Sequence, residues 1–291
     1  MSQSGVPSTR NPRRFESGAV PVSRPAPANV HVSAVSASHV GRVRTANEDA
    51  CAVVDLDRGI APAGATLRRL DVGARGVLLA VSDGMGGARD GALASALSIE
   101  GLVRAFETIP AEIGPAEALE RAARAAHREV WDASCRAGHQ GHTRMGATLT
   151  ALLVHDGRIA VAQVGDSRAY LVRQGRMTRL TNDQSIVQSL IDKGLMKPED
   201  AEHSPMRNIL TQAMGHQEEL DVVMGDAELR DRDCLLVCSD GLTNELGDDE
   251  IRDVILMSMR LDVAAKRLVD RANERGGRDN VTVVLAGIGM R

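Results

Sequence analysis

Short apolar runs recur along the chain, each closed by glycine, proline or aspartate. They occupy 50–55, 77–82, 148–154, 158–164, 168–173, 220–224, 233–239 and 281–288. Runs of this length between turn residues predict buried strands. The sequences HDG at 155–157 and QG at 174–175 divide the middle of the chain into a meander of adjacent antiparallel strands. Elsewhere the apolar spacing is helical. Leu93, Leu97, Leu102 and Phe106 mark a stripe over 92–106, and Leu119, Ala122, Ala123, Ala126 and Val130 another over 115–135, where Pro115 suits the first helical position. A third helix is predicted over 262–275, stopped by Gly276 and Gly277. Strands in one block and helices in others predict an α+β layered domain rather than alternating βαβ units.

The first part of the chain has neither period. Five of the 10 prolines (Pro7, Pro12, Pro21, Pro25 and Pro27) fall there, with Arg10, Arg13, Arg14 and Arg24 against Glu16 alone. Residues 1–31 are therefore assigned to a disordered, mildly basic leader, and 32–291 to one folded domain.

Composition narrows the function. Phe15, Phe106, Trp131 and Tyr170 are the only aromatic residues, and the formal charge is −4. Neither stacking platforms nor a basic footprint is available, so nucleic acid is not expected as a partner. No stretch reaches the roughly 20 apolar residues of a membrane span. Nothing resembling the apolar core of a secretory signal follows the first arginines. Cys51, Cys135, Cys234 and Cys238 are too few and scattered for a disulfide framework, and a reduced, cytoplasmic protein is expected.

Acidic residues stand at the ends of the apolar runs. Asp83 and Asp240 each follow one and precede glycine; Asp166 follows a glycine after one. Asp279, and the pair Glu48 and Asp49, lie just before others. Each alone is an ordinary turn residue. If these ends converge, the carboxylates share a small volume, and their repulsion requires cations. Oxygen donors without accompanying histidine or cysteine suit Mg²⁺ or Mn²⁺ rather than zinc. Arg44, four residues before Glu48, could enter the same mouth, and a guanidinium there is shaped to grip two phosphate oxygens. The glycine-rich DGMGG lacks the lysine and spacing of a nucleotide loop. Its glycines better serve the close approach of backbone, such as the Gly84 carbonyl, to a metal.

In order, RTANED (44–49), DGMGG (83–87), MGAT (145–148), GDSRAY (165–170), LTNDQS (180–185), SDGLT (239–243) and GRDNVT (277–282) resemble the metal-dependent protein phosphatases, the type 2C serine/threonine phosphatases, in their bacterial branch. The resemblance extends over about 32–289. It implies a four-layer α-β-β-α sandwich, two antiparallel sheets flanked by helices, with metals at one end. It implies that Asp83 bridges two Mn²⁺ or Mg²⁺ ions. Asp240 and Asp279 would hold one of them, and Glu48 with the Gly84 carbonyl would help hold the other. Asp166, with Asp240, matches a third, weaker site. Arg44 matches the phosphate-binding arginine, and Asp49 and Asn280 stand behind the ligands. Residues 181–215 match a flap over the substrate groove. The implied reaction is hydrolysis of phosphoserine and phosphothreonine in proteins by a metal-activated hydroxide, without a covalent intermediate. The implied partners are a bacterial serine/threonine kinase and its substrates, and a monomer is expected.

Two positions depart from many relatives. Met85 stands where eukaryotic members carry a histidine proposed to protonate the leaving group, and methionine cannot donate that proton. A metal-bound water, as at the Asp166 site, would have to serve. Gln184 stands where the flap often has histidine. Two rival readings remain: a catalytically silent phosphatase-fold binding or regulatory protein, and a metal-dependent phosphodiesterase or nuclease. The first is disfavoured because Glu48, Asp83, Asp240 and Asp279 are all present, and the second by the lack of a basic, aromatic groove.

Overall fold

The structure is a computed structural model that describes residues 30–61, 66–139, 141, 144–201 and 204–291. Its strands are β1 (Val30–His39), β2 (Asp49–Asp55), β3 (Gly59–Ala61), β4 (Arg68–Asp71) and β5 (Val77–Met85). Helices α1 (Ala88–Thr108) and α2 (Pro115–Arg136) follow, then β6 (Gly146–Ala147), β7 (Leu149–His155), β8 (Arg158–Val164), β9 (Arg168–Arg173) and β10 (Arg176–Arg179). The short α3 (Ile186–Asp192) and α4 (Pro198–Ala201) precede β11 (Val223–Glu228) and β12 (Cys234–Cys238). The chain closes with α5 (Asp240–Thr243), α6 (Asp248–Met257), α7 (Leu261–Arg275) and β13 (Val281–Met290).

These strands form two sheets, ordered β10-β9-β12-β13-β1-β4 and β11-β8-β7-β5-β2-β3, with β6 paired to β5. All of the pairings are antiparallel. The sheets meet face to face; α1 and α2 cover one outer face, and α5, α6 and α7 the other. The result is the expected four-layer α-β-β-α sandwich.

The central strands read as continuous apolar runs because both of their faces are covered. Side chains alternate across a strand. Leu78 and Ala80 of β5 therefore pack under α1 and α2, while Val77, Leu79 and Val81 fill the space between the sheets. On β13, Val281, Val283 and Leu285 meet α7, and Val284, Ala286 and Ile288 turn inward. The tight turns follow their chemistry. Asp156 and Gly157 take φ of 47° and 71°, and Gln174 and Gly175 take 49° and 79°, the left-handed pairs that suit two-residue hairpins.

Several expectations shift. β1 begins at Val30, two residues inside the stretch assigned to the leader; residues 1–29 lie outside the described residues. The strand expected at 220–224 is found at Val223–Glu228, because Leu220 and Val222 bury against α2 before the chain pairs with β8. Leu93, counted in the apolar stripe of α1, is 46% exposed, and Ala94, Ile99, Leu102, Ala105 and Phe106 form the buried face instead. Among the described residues, no helix is long and apolar enough to cross a membrane.

Candidate active site

Strand register brings the acids to one end of the sandwich. Asp49 opens β2 directly opposite Asp83 near the end of β5. In the other sheet, the end of β12 lies between the starts of β9 and β13, since Cys238 pairs with Arg168 and with Val283. Asp166 lies just before β9, Asp240 just after β12 and Asp279 just before β13, so all three are delivered to the same edge. The Ser239 hydroxyl donates to Asp49 Oδ2 at 2.8 Å and joins the two sheets there.

The backbone that carries these groups is held by polar side chains. Asn280, 3% exposed, accepts from the Glu48 N–H at 2.7 Å through Oδ1. Its amide nitrogen donates to the carbonyls of Val40 and Ala46, both at 2.9 Å. Asp83 is fixed by Thr148, whose N–H donates to the Asp83 carbonyl at 2.8 Å and whose hydroxyl accepts from the Asp83 N–H at 2.9 Å. Thr148 Oγ1 and Ser167 Oγ lie 2.7 Å apart, tying the Asp166 turn to the same post. The Glu48 carbonyl accepts from Gly84 N–H at 3.2 Å and from the Ser95 hydroxyl at 2.5 Å. Gly84 and Gly91 are required beside it. A side chain on Gly84 would strike the backbone of Gly91 and Glu48, and one on Gly91 would strike the Glu48 carboxylate.

Electrostatics mark the cluster. Desolvation, followed by the charges of Asp49, Asp240, Asp166 and Asp279, holds the Asp83 carboxyl well above the usual range. Desolvation and then Asp240 and Asp183 do the same for Asp166, against the opposing charge of Arg168. Burial and then Asp279 raise Asp240, and burial raises Glu48. Asp49 is pushed up to about 7, chiefly by burial, despite hydrogen bonds from Thr282 and Ser239. Arg44 donates to Asp279 Oδ2 at 2.7 Å at the rim, with half of its side chain exposed. That contact raises the Arg44 pKa, so the guanidinium stays charged.

The donor set fits hard divalent cations: all of its atoms are oxygen, like charges crowd together, and the Oδ1 atoms of Asp49 and Asp240 are buried without a hydrogen-bond partner. As the side chains stand, no group of three or more His, Cys, Asp and Glu among the described residues is arranged to hold an ion. Other side chains hold two of the carboxyl groups instead: Asn244 donates to Asp240 Oδ2 at 2.8 Å, and Arg44 donates to Asp279.

Each residue singled out from the sequence therefore lies at this end, but not all in the same way. Asp49 and Asn280 face inward and brace. Met85 packs on Gly146, its Sδ 3.5 Å from where a side chain there would begin. Gln184 exchanges bonds with Gly165: its N–H donates to the Gly165 carbonyl at 2.9 Å and its Oε1 accepts from Gly165 N–H at 2.7 Å. The hydroxyl bracing by Ser95, Thr148, Ser167 and Thr282 was not foreseen. Thr148 and Ser167 did lie within motifs read for their neighbours, but a hydroxyl's role depends on a partner far along the chain.

Known proteins share this sequence pattern and fold. The family profile described as protein phosphatase 2C matches residues 66–282. The serine/threonine protein phosphatase PstP of Mycobacterium tuberculosis is 37% identical over 212 residues, 72% of this chain. This chain spans only 40% of that relative's length. The protein phosphatase PhpP of Streptococcus pneumoniae is 35% identical over 212 residues, 72% of this chain and 85% of its own. The solved catalytic domain of PstP in complex with two manganese ions superposes with a TM-score of 0.73 at 31% identity, covering 89% of this chain and 99% of that one. This chain belongs to the protein phosphatase 2C family.

Proposed function

We propose that this protein is a metal-dependent serine/threonine protein phosphatase that hydrolyses phosphoserine and phosphothreonine in proteins. The observation that carries the reading is the carboxylate cluster with Arg44 at its rim. Five aspartates crowd together at one end of the sandwich, beside the half-exposed guanidinium of Arg44 that pairs with Asp279.

In this reading Asp83, Asp240 and Asp279 would hold one Mn²⁺ or Mg²⁺ ion, Asp83, Glu48 and the Gly84 carbonyl would hold a second, and Asp166 and Asp240 would hold a third, weaker one. When bound, the cations acidify water and offset charge on the phosphoryl group. Arg44 exchanges Asp279 for two oxygens of the phosphate, a bidentate geometry that the guanidinium favours. Asn280 and Thr148 keep Glu48 and Asp83 from relaxing apart under their own repulsion. Met85 carries no transferable proton, so the leaving alkoxide would take its proton from water rather than from that side chain. No serine or cysteine nucleophile takes part.

The substrates proposed are phosphoproteins, including those of a bacterial serine/threonine kinase, in a signalling role. The protein is proposed to act as a cytoplasmic monomer; its four free cysteines fit a reducing compartment. The test is phosphate release from a phosphothreonine peptide with Mn²⁺, with EDTA, and in Asp240→Asn. Release that needs the metal and falls at least about a hundredfold in the variant is expected, the scale for losing a group that organises transition-state charge. If a folded wild-type protein releases nothing with any divalent ion, the chain is a silent binding protein of this fold.

A further inference from the structure

The turn that carries Asp166 is laced to another stretch of chain. From the end of β8 to the start of β9 the sequence reads QVGDSRA (163–169), and TNDQ (181–184) lies along it. The Ala169 N–H donates to Thr181 Oγ1 at 3.1 Å, and the Asn182 N–H to Gln163 Oε1 at 3.0 Å. The Arg168 guanidinium donates to Asp183 Oδ2 at 2.8 Å, and Arg179 donates to the same carboxylate. Gln184 completes the series through Gly165, the residue before Asp166. The Gln184 N–H donates to the Gly165 carbonyl at 2.9 Å, and its Oε1 accepts from the Gly165 N–H at 2.7 Å.

Gly165 depends on that hold. Its carbonyl has a second donor, Gln163 Nε2 at 3.1 Å, but among the described residues its N–H has only Gln184. Gly165 takes φ of 93°, and a side chain there would lie 2.7 Å from Thr148 Cγ2, so no larger residue can stiffen the turn.

The other end of the same amide reaches a third segment. Gln184 Nε2 donates to the Asp221 carbonyl at 2.9 Å, beyond the stretch expected to cover the groove. That stretch is closed at its neck. The Thr211 N–H donates to the Gln184 carbonyl at 2.8 Å and the Ile186 N–H to the Ile209 carbonyl at 2.9 Å, around a bridge between Ser185 and Leu210. One side chain thus joins the Asp166 turn, this neck and the chain that follows it. A glutamine amide donates and accepts at once, whereas a protonated histidine in its place would only donate.

We propose that Gln184 is a positioning residue for Asp166. It holds the Asp166 turn against the neck at 184–211, and so sets the affinity of the weak cation site that Asp166 and Asp240 would form. The proposal rests on the phosphatase reading for the presence of that site.

The test compares the full chain with Gln184→Met, which keeps the side-chain length and removes both amide bonds. Gln184 is half-buried, and Gln184→Ala repeats the comparison without the bulk. Hydrogen exchange at the Gly165 amide should quicken roughly three- to tenfold, the scale of one lost hydrogen bond. Calorimetric titration with Mn²⁺ should show the weakest binding step moved roughly tenfold or more to higher concentration, the scale for losing an outer partner of a metal site, with the tighter steps unchanged. A residue that only stitched the fold together would not single out one step. Unchanged exchange at Gly165, a wild type without a weaker step, or a weakest step that stays in place overturns the proposal. The tighter steps and phosphate release would then still stand for the phosphatase reading. A shift of all steps together also overturns the proposal, since it marks a general loosening of the site. A folded wild type that takes up no Mn²⁺ overturns the phosphatase reading and this proposal with it, and the missing tight steps tell that failure apart.

Discussion

Asn280→Ala tests the bracing argument most directly. The side chain is 3% exposed and makes three hydrogen bonds, to Glu48 N–H and to the carbonyls of Val40 and Ala46. Alanine removes all three without creating another partner. The Glu48 N–H bond is wholly buried, so its loss falls toward the upper end of about 1–3 kcal/mol for an orphaned group. Val40 and Ala46 are only half-buried, and water can reach their carbonyls, so each adds roughly 0.5–1 kcal/mol. The sum is about 3–5 kcal/mol, a large share of the roughly 5–15 kcal/mol that holds a domain together. Urea unfolding should show a lower midpoint with an unchanged slope. Isothermal titration should show weaker Mn²⁺ binding, because the Glu48 backbone is no longer pinned. A loss below about 1 kcal/mol with unaltered Mn²⁺ affinity would refute the claim that Asn280 holds this end together.

Other outcomes follow from the same contacts. Gly91→Ala should weaken Mn²⁺ binding in titration calorimetry by displacing the Glu48 carboxylate, although alanine otherwise favours a helix by about 1 kcal/mol; a stabilised variant with full affinity would contradict the packing. Leu78→Ala, at a site without exposure between β5 and the helices, should cost about 2–5 kcal/mol in denaturant unfolding. His127 is held below its ordinary pKa of 6.5 by burial and accepts from Gly215 N–H through Nδ1. The unfolded chain then binds the proton more readily, so this contribution is complete above pH 6.5 and is lost as the pH falls through the lower folded value. In urea titrations between pH 7 and 5, His127→Gln should show a shallower decline than wild type.

What the sequence determined by itself is local. Continuous apolar runs marked β5, β7, β8, β9, β12 and β13 because strands covered on both faces need no alternation. Pro115 and the Gly276-Gly277 pair marked the ends of α2 and α7 through backbone constraints that hold in any surroundings. The acids at the strand ends were visible for the same reason, as breaks in an apolar pattern. The ordered motifs supplied a family likeness, and with it the two-sheet arrangement that periodicity cannot give. Tertiary structure decided which ends meet. Asp49 faces Asp83 through strand register, and Ser239 reaches Asp49 across 190 positions of chain. Whether Asp49 and Asn280 point at the cleft or brace it depends on partners in other elements, and residue spacing carries no such information. A hydrogen bond or a cavity belongs to a pair of surfaces, and a sequence lists them one residue at a time.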